Sequence, residues 1–198
     1  MSTAIASTDE QLSSLPGFGP VQGVQFAGYS SVRGVTGNNG ADKSDENLFY
    51  WFAGQKNYAD APTIIWSNGG PGSSSFWGFF LENGPYDITG GSGTPVIAAR
   101  KNGWNNYTNY MMFEQPLSVT VSFANDAEDI PKTPEMGTAQ YYQALLNFIA
   151  RHPEIENNPV ILAGESYAGT YLPLLAKAIL DGNAKGYSKI KLAGVVLL

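Results

Sequence analysis

Short apolar runs that alternate with helical patterns are the feature that most limits how this chain can fold. Three such runs lie at 110–115, 159–164 and 192–198, and segments with apolar residues at helical spacing separate them. A fourth run, 62–66, stops at the polar stretch "SNGGPGSSS" and is typical of a strand buried on both faces. This alternation predicts an α/β fold, with a mostly parallel sheet and helices on both faces.

Capping residues and apolar spacing mark the two helices. Thr133 is predicted to cap the first helix, with Pro134 in its first helical position. The apolar residues that follow at helical spacing are Tyr142, Leu145, Leu146 and Ile149. The second helix is expected to end near Gly182 and to kink at Pro173, and its apolar residues are Leu174, Leu175, Ala178 and Ile179.

The N-terminal part of the chain predicts an antiparallel hairpin. Aromatic and β-branched residues fill 24–35 and 47–54, and the polar Gly/Asn stretch "TGNNGADKSDE" separates them. No internal repeat or linker is visible, so we expect residues 1–198 to form a single domain. The final apolar run has no turn or helix after it, whereas sheet edges are normally covered. We therefore expect an incomplete domain, truncated before its last strands.

Composition narrows the classes of function. The chain is 43% hydrophobic and 14% charged, which supports a globular core. Its net charge of −6 comes without a basic block, so nucleic acid is not an expected partner. No apolar run approaches the roughly 18 residues of a membrane span, and no secretory signal is visible. With no cysteine there is neither a disulfide frame nor a thiol nucleophile. We expect no metal and no cofactor, and the oligomeric state and compartment stay open.

The stretch "GESYAGT" (164–170) places a serine between glycines where a predicted strand meets a predicted helix. It resembles the Gly-x-Ser-x-Gly nucleophile elbow, a strained strand-to-helix turn that lifts the serine above the sheet. Ser166 is therefore the candidate nucleophile. The alternative is a structural turn whose serine only hydrogen-bonds the backbone.

A second glycine-rich loop, 67–75, follows the strand predicted at 62–66. A Gly-Gly pair lets the backbone approach a ligand closely and direct N–H groups at it. In elbow hydrolases the oxyanion hole takes one N–H from the residue after the nucleophile and another from an early strand–helix loop. Those donors would be the amides of Tyr167 and Gly70. The alternative is a flexible surface loop.

Several blocks of the sequence resemble the serine carboxypeptidase family, peptidase S10. They are "IIWSNGGPGSSS", "GWNNYTNYMMFEQP", "RHPEIENNPVILAGESYAGTYLP" and "KLAGVVLL", and the hairpin region from Leu15 onward is also similar. The resemblance implies an α/β-hydrolase fold and removal of single residues from the C-termini of peptides or proteins. It implies an acyl-enzyme on Ser166, with Gly70 and Tyr167 donating to the oxyanion.

The resemblance also implies a site for the terminal carboxylate of the substrate, formed by Asn68, Gly69 and Glu165. Glu82, in "FFLENGP", matches a glutamate that partners the one before the serine. Two carboxylates in contact cannot both ionise cheaply, so the pair keeps a proton and can donate a hydrogen bond to the substrate. We therefore expect tighter peptide binding at acidic pH. The alternative for Glu82 is a solvated helix residue.

The base that Ser166 requires is not evident. Elbow hydrolases carry their triad in the chain order Ser, acid, His, and no histidine follows Ser166. His152 precedes the strand that delivers the serine, and five residues at ~3.3 Å each put it roughly 15 Å or more away. We predict that His152 is a surface loop residue. Asp181, the sole acid after the serine, is expected to follow the second helix, well away from Ser166.

By resemblance, the catalytic Asp and His lie on later strands, so this chain is expected to have little activity. It also departs from the family pattern. Glu114 replaces an Asp, and the run that follows it lacks the usual Gly-x-Gly, so the resemblance does not predict the local backbone. Ser73 stands where many members have a disulfide cysteine, and Thr170 where His is common. Family members are typically vacuolar, lysosomal or secreted.

Other functions stay open at this point. One is an acyltransferase on the same scaffold, in which an alcohol replaces water in attacking the acyl-enzyme. Another is a truncated, non-catalytic product that binds peptide C-termini or a partner. An esterase or lipase is disfavoured because "NGGPG" differs from the HGGG type of loop.

Overall fold

A computed structural model of the chain describes residues 10–33, 46–90 and 93–198. Its two long helices are α1 (Pro134–Arg151) and α2 (Ala168–Ala184). Short helical turns occupy Gly78–Glu82, Trp104–Asn106, Ala127–Asp129 and Pro153–Ile155. The strands are β1 (Ser14–Leu15), β2 (Gly19–Pro20), β3 (Gln25–Ser31), β4 (Glu46–Ala53), β5 (Thr63–Ser67), β6 (Tyr86–Thr89), β7 (Val96–Ala99), β8 (Asn109–Phe113), β9 (Phe123–Ala124), β10 (Pro159–Gly164) and β11 (Lys191–Leu197).

The central sheet has the order β11-β10-β5-β8-β4-β3, with β9 paired to β4. The pairs from β11 to β8 are parallel, whereas β4 runs antiparallel to both β8 and β3. The predicted mostly parallel sheet with an N-terminal antiparallel hairpin is thus confirmed. Residues 34–45, which include all of the polar stretch between the hairpin strands except Glu46, lie outside the described residues.

The two faces of this sheet are covered differently. Both α1 and α2 pack on one face and contact each other, sharing one core that includes Leu145, Phe148, Leu172 and Leu175. Aromatic residues fill the other face, where the ring of Trp51 lies 4.6 Å from that of Phe79 in the turn Gly78–Glu82. Burial of each large apolar side chain of this kind contributes roughly 1.5–3 kcal/mol to the free energy of unfolding. We predicted helices on both faces; within the described ranges the second face carries this short turn and the β6–β7 hairpin.

The ends of the helices follow local sequence signals closely. The Oγ1 atom of Thr133 accepts a hydrogen bond from the amide of Met136 at 3.2 Å, which confirms the predicted cap. Helix α2 continues two residues beyond Gly182, and Pro173 lies inside it. Asp181 therefore belongs to the helix instead of following it, and it pairs there with Lys177 at 2.5 Å.

The assignment of His152 to the surface is wrong. The side chain is completely buried, with its ring 4.5 Å from that of Phe26 and 4.4 Å from that of Phe148. Its Nδ1 atom lies 3.2 Å from Glu154 Oε1, and its Nε2 atom lies 3.7 Å from Glu10 Oε2. The polar residues beside His152 in the sequence suggest exposure, but Glu10, at the start of the described residues, packs against its imidazole ring.

Two features of the surface bear on the sequence predictions. Strand β11 lies at one edge of the central sheet, and Val195, Val196 and Leu197 are exposed there. In the part of the chain that the structure describes, no helix has the length and apolar character that crossing a bilayer requires.

Candidate active site

The two predicted loops meet because the strands that carry them are neighbours. Strands β5 and β10 pair in parallel, with Ser67 opposite Gly164, so the loops after them leave the same edge of the sheet. Ligands of open α/β sheets bind at this carboxyl edge. The amide of Glu165 donates to the carbonyl of Ser67 at 3.2 Å, which ties the start of one loop to the start of the other.

The serine of "GESYAGT" occupies a strained turn at the end of β10. Ser166 has a φ of 56°, in the left-handed region, which costs a non-glycine residue about 1–3 kcal/mol. Gly164 is necessary because a Cβ atom there would lie 2.4 Å from the Ser67 carbonyl oxygen and 2.7 Å from Ala168 Cβ. The residue two positions after the serine is Ala168, so the elbow departs from the Gly-x-Ser-x-Gly pattern, and a buried methyl group fits there.

Gly69 makes the closest approach between the two loops. A Cβ atom on Gly69 would lie 2.5 Å from the amide nitrogen of Tyr167 and 2.8 Å from Ser166 Cβ, so only glycine fits without a shift. Gly70, next to it, has a φ of 110° and is exposed. Among the described residues no acceptor receives a hydrogen bond from the amides of Gly70 or Tyr167. These two N–H groups are therefore available to a ligand.

Hydrogen bonds hold the loop 68–75 against its surroundings. The amide of Gly72 donates to the hydroxyl of Tyr171 on α2 at 3.3 Å. The amide of Ser73 donates to the carbonyl of Gly69 at 3.1 Å, which closes a tight turn. The alternative of a flexible surface loop is disfavoured by these bonds and by the burial of Gly69.

The carboxamide of Asn68 has an orientation that its partners define. Its Oδ1 atom accepts from the indole N–H of Trp66 at 2.8 Å and from the amide of Gly78 at 3.1 Å. Its Nδ2 atom therefore faces two carboxylates, at 2.9 Å from Glu165 Oε1 and 3.2 Å from Glu82 Oε1. Asn68 is 2% exposed, so its carboxamide is buried where it hydrogen-bonds both acids.

Sequence reasoning missed the roles of Trp66 and Gly78 in this arrangement. A Cβ atom on Gly78 would lie 2.1 Å from Trp66 Nε1, so the helical turn can approach the indole only with glycine at that position. The apolar run 62–66 predicts only that Trp66 belongs to a buried strand, and nothing in the sequence pairs it with residue 78. Its position two residues before Asn68 is the one signal that could have suggested the contact.

The pKa of Glu82 is raised above its ordinary value. Partial burial is the larger cause, and the nearby negative charge of Glu165 adds to it, while the hydrogen bond from Asn68 and the charge of Arg100 oppose them. Glu82 is exposed at the end of its turn, so solvent screens part of this effect. The direction means that Glu82 keeps its proton to a higher pH than an ordinary glutamate does.

The sheet edge around Ser166 lacks an imidazole. The single histidine of the chain, His152, lies before β10, at the opposite end of that strand from the serine. Asp181 is exposed in the last turn of α2 and paired with Lys177. Within the described ranges no cluster of three or more His, Cys, Asp or Glu side chains could hold a metal ion.

The segment that lacks the family glycines adopts the backbone that glycine favours. Ser118 has a φ of 73° and Thr120 a φ of 44°, both in the left-handed region that favours glycine. Glu114, which replaces the family Asp, is completely buried.

A mostly parallel sheet with a strained serine after one strand, beside a glycine-rich loop after the neighbouring strand, defines an α/β hydrolase. The chain belongs to the serine carboxypeptidase family, whose model matches residues 16–198. This confirms the resemblance seen in the sequence.

Two curated relatives show how far the similarity extends. The pheromone-processing carboxypeptidase KEX1 of Ajellomyces capsulatus is 34% identical over 199 residues, covering 98% of this chain and 30% of that protein. Serine carboxypeptidase-like 25 of Arabidopsis thaliana is 34% identical over 192 residues, covering 95% of this chain and 38% of that protein. The chain thus spans about a third of the length of these relatives.

A solved structure gives the same result for the fold. The structure of Kex1(delta)p, a prohormone-processing carboxypeptidase from Saccharomyces cerevisiae, matches with a TM-score of 0.74 and 28% sequence identity. The match covers 88% of this chain and 38% of that one. The described strands and helices therefore form part of an α/β-hydrolase-type fold.

Proposed function

We propose that this chain carries the nucleophile, the oxyanion donors and the carboxylate-binding group of a serine carboxypeptidase. The observation that carries the proposal is the contact of Gly69 with Ser166 and Tyr167, since it brings the two glycine-containing loops to one point. We also propose that residues 1–198 belong to one α/β-hydrolase domain, supported by a core that residues from β3 to α2 share.

In the proposed reaction, the terminal carboxylate of a peptide binds beside Asn68, Glu165 and Glu82. The Nδ2 group of Asn68 would exchange one of its bonds to the glutamates for a bond to this carboxylate, and the carboxyl group of Glu82, whose pKa is raised, would donate a second hydrogen bond when protonated. An ionised pair would repel the same group. Recognition of this carboxylate would place the last peptide bond of the substrate next to the nucleophile.

The Oγ atom of Ser166 would then attack the carbonyl carbon of that bond. The amides of Gly70 and Tyr167 donate to the oxygen that becomes negative, and one such donor is typically worth about 2.7–4 kcal/mol in the transition state. The C–N bond breaks, the terminal residue leaves as an amine that has gained a proton, and an acyl-enzyme forms. Water then hydrolyses the ester and restores the serine.

The proton of Ser166 requires a base that this sequence does not supply. Because His152 lies at the other end of β10, we infer that the base comes from residues outside these 198. A serine without its base keeps only the contribution of the oxyanion hole and of binding. We therefore expect the chain to bind peptide C-termini with turnover close to background.

Binding of two matched peptides to the 198-residue chain tests the proposal. An N-blocked dipeptide with a free C-terminal carboxylate should bind at pH 5 more tightly than its C-terminal amide, measured by calorimetry or NMR titration. Asn68→Ala should abolish this difference, whereas Ser166→Ala should keep it, because the hydroxyl does not contact the carboxylate. Equal affinities of the unsubstituted chain for the two peptides would refute the proposed function.

A further inference from the structure

We propose that Glu114 is a positioning residue that holds the carboxylate-binding loop in place, an inference that rests on the proposed function. Its side chain is completely buried at the end of β8. Its carboxylate accepts from the hydroxyl of Ser74 at 2.8 Å, from the amide of Phe76 at 3.2 Å and from the hydroxyl of Thr120. A buried group that only accepts is thus surrounded by donors from two separate segments.

The segment 74–76 that Glu114 holds is the direct link between the parts of the candidate site. On one side, Ser75 Oγ accepts from the amide of Asn68 at 3.3 Å. On the other side, the turn Gly78–Glu82 begins, and the amide of Gly78 donates to Asn68 Oδ1 at 3.1 Å. A shift of this segment would therefore move both the carboxamide of Asn68 and the turn that ends at Glu82.

The backbone of Glu114 is itself held firmly. Its amide donates to the carbonyl of Phe49 on β4 at 2.9 Å, and its carbonyl accepts from Ser122 Oγ at 2.5 Å. Ser122 Oγ also accepts from the amide of Phe49 at 2.8 Å. The backbone of Glu114 is thus hydrogen-bonded to the central sheet. Its carboxylate therefore holds the loop at a fixed distance from the sheet.

The chemistry of the site requires a carboxylate and not a carboxamide. Glutamine at position 114 would keep the shape, but its NH2 group would face the donors of Ser74, Phe76 or Thr120. Burial raises the pKa of Glu114, while the hydroxyl and amide donors around it oppose that shift. The uncharged isostere therefore removes acceptance at one oxygen and sets an NH2 group against donors of the segment, which must shift to avoid it.

The test compares Glu114→Gln with a matched control, Glu10→Gln. Glu10 is also a largely buried carboxylate, which accepts from Tyr50 at 2.5 Å and lies beside His152, away from the carboxyl edge of β10. In the unliganded chain, Glu114→Gln should move the NMR cross-peaks of the Asn68 carboxamide and the Gly78 amide, and Glu10→Gln should leave them in place. Unmoved cross-peaks in Glu114→Gln would overturn the inference, independently of peptide binding.

A binding measurement separates this inference from the proposed function. Glu114→Gln should weaken binding of the free-acid dipeptide by about tenfold while the amide peptide is unaffected, and Glu10→Gln should change neither. The loss should not add to that of Asn68→Ala, because both act through one loop. If the unsubstituted chain prefers the free acid and Glu114→Gln retains the full preference, the positioning role is wrong and the proposed function stands.

A second variant covers the case in which Glu114→Gln does not fold. Ser74→Ala removes one donor to the carboxylate and leaves the charge buried with its other partners. It should shift the same cross-peaks to a smaller degree and reduce the preference for the free acid. A folded Ser74→Ala chain with unchanged cross-peaks would count against the inference.

Discussion

Asn68 and Glu165 stand 97 residues apart in the chain, yet Asn68 Nδ2 donates to Glu165 Oε1 at 2.9 Å. The bond joins the loop after β5 to the loop after β10. It can form because those strands are neighbours in parallel register, and because Gly69 allows their loops to touch. The predictions below concern this junction and the segments that support it.

Gly69→Ala should disrupt the junction. The new methyl group would lie 2.5 Å from Tyr167 N and 2.8 Å from Ser166 Cβ, so one loop must move. We expect the free energy of unfolding to fall by about 1–3 kcal/mol in urea denaturation, as for other overpacked sites, and the preference for free-acid peptides to disappear.

Gly169→Ala is the matched control for that substitution. Gly169 lies in the first turn of α2, and a Cβ atom there would contact nothing within 4 Å. Because alanine is a better helix former, stability should be unchanged or rise by up to about 0.5–1 kcal/mol. A Gly69→Ala chain as stable as Gly169→Ala would show that the two loops do not meet as described.

Ser118→Gly should stabilise the chain. Ser118 is exposed with a φ of 73°, and relief of left-handed strain, ~1–2 kcal/mol, exceeds the added chain entropy of glycine, ~0.5–1 kcal/mol. We expect a rise in the free energy of unfolding of up to about 1 kcal/mol. Ser13→Gly, at an exposed serine without a positive φ, should give no such gain. A loss of stability in Ser118→Gly would contradict the assigned backbone.

Binding of the free-acid peptide should weaken as pH rises. The pKa of Glu82 is raised, first by burial and then by the charge of Glu165. The protonated form, which can bind a carboxylate, therefore persists above pH 4.5, the ordinary pKa of a glutamate. It is lost as the pH rises past the raised pKa. Titrations of the dissociation constant against pH should show this trend for the free acid only. Glu82→Gln should flatten the curve, because a carboxamide stays neutral and keeps a donor.

Glu165→Gln should lower the pKa of Glu82, because it removes the negative charge that helps to raise it. The carboxyl carbon of Glu82, followed by NMR, reports the midpoint directly. Asp181→Asn is a suitable control, because Asp181 is exposed on α2, pairs with Lys177, and neither residue is among the groups that shift the pKa of Glu82. An unchanged midpoint in Glu165→Gln would mean that the two carboxylates are not coupled.

His152 should stabilise the folded chain as a cation. Burial disfavours its charge, but the carboxylates of Glu10 and Glu154 outweigh burial and raise its pKa above 6.5. A raised folded pKa gives stability that is fully present below the unfolded value and lost as pH rises through the folded one. Urea denaturation should thus show stability falling as pH rises above about 6.5.

The same chain permits a direct check of that pKa. Because the sequence has one histidine, its imidazole signals in NMR need no assignment. Glu154→Gln should lower the midpoint and reduce the fall in stability, since it removes the partner at 3.2 Å from Nδ1. Lys177→Gln, at an exposed pair on α2, should leave both unchanged. A midpoint below 6.5 in the unsubstituted chain would refute this account of the buried histidine.

Short-range signals predicted the elements well. The strand 159–164 was expected at its observed limits, and the Thr133 cap formed as its residue type indicates, because a hydroxyl and an amide three residues apart need no distant partner. His152 shows the opposite case. Its neighbours in sequence are polar, but its exposure was decided by Phe26, Phe148 and Glu10, which reach it only in the folded chain.

The sequence alone determined the alternation of strands and helices, the family, and the two loops that hold Ser166 and Gly70, since apolar spacing and glycine placement are local properties. Only the tertiary structure decided that Asn68 faces two glutamates, that Glu114 supports the loop between them, and that Ser118 and Thr120 take the backbone of glycine. The reason is physical: hydrogen-bond geometry, desolvation and a close backbone approach depend on atoms that the chain brings together from distant positions.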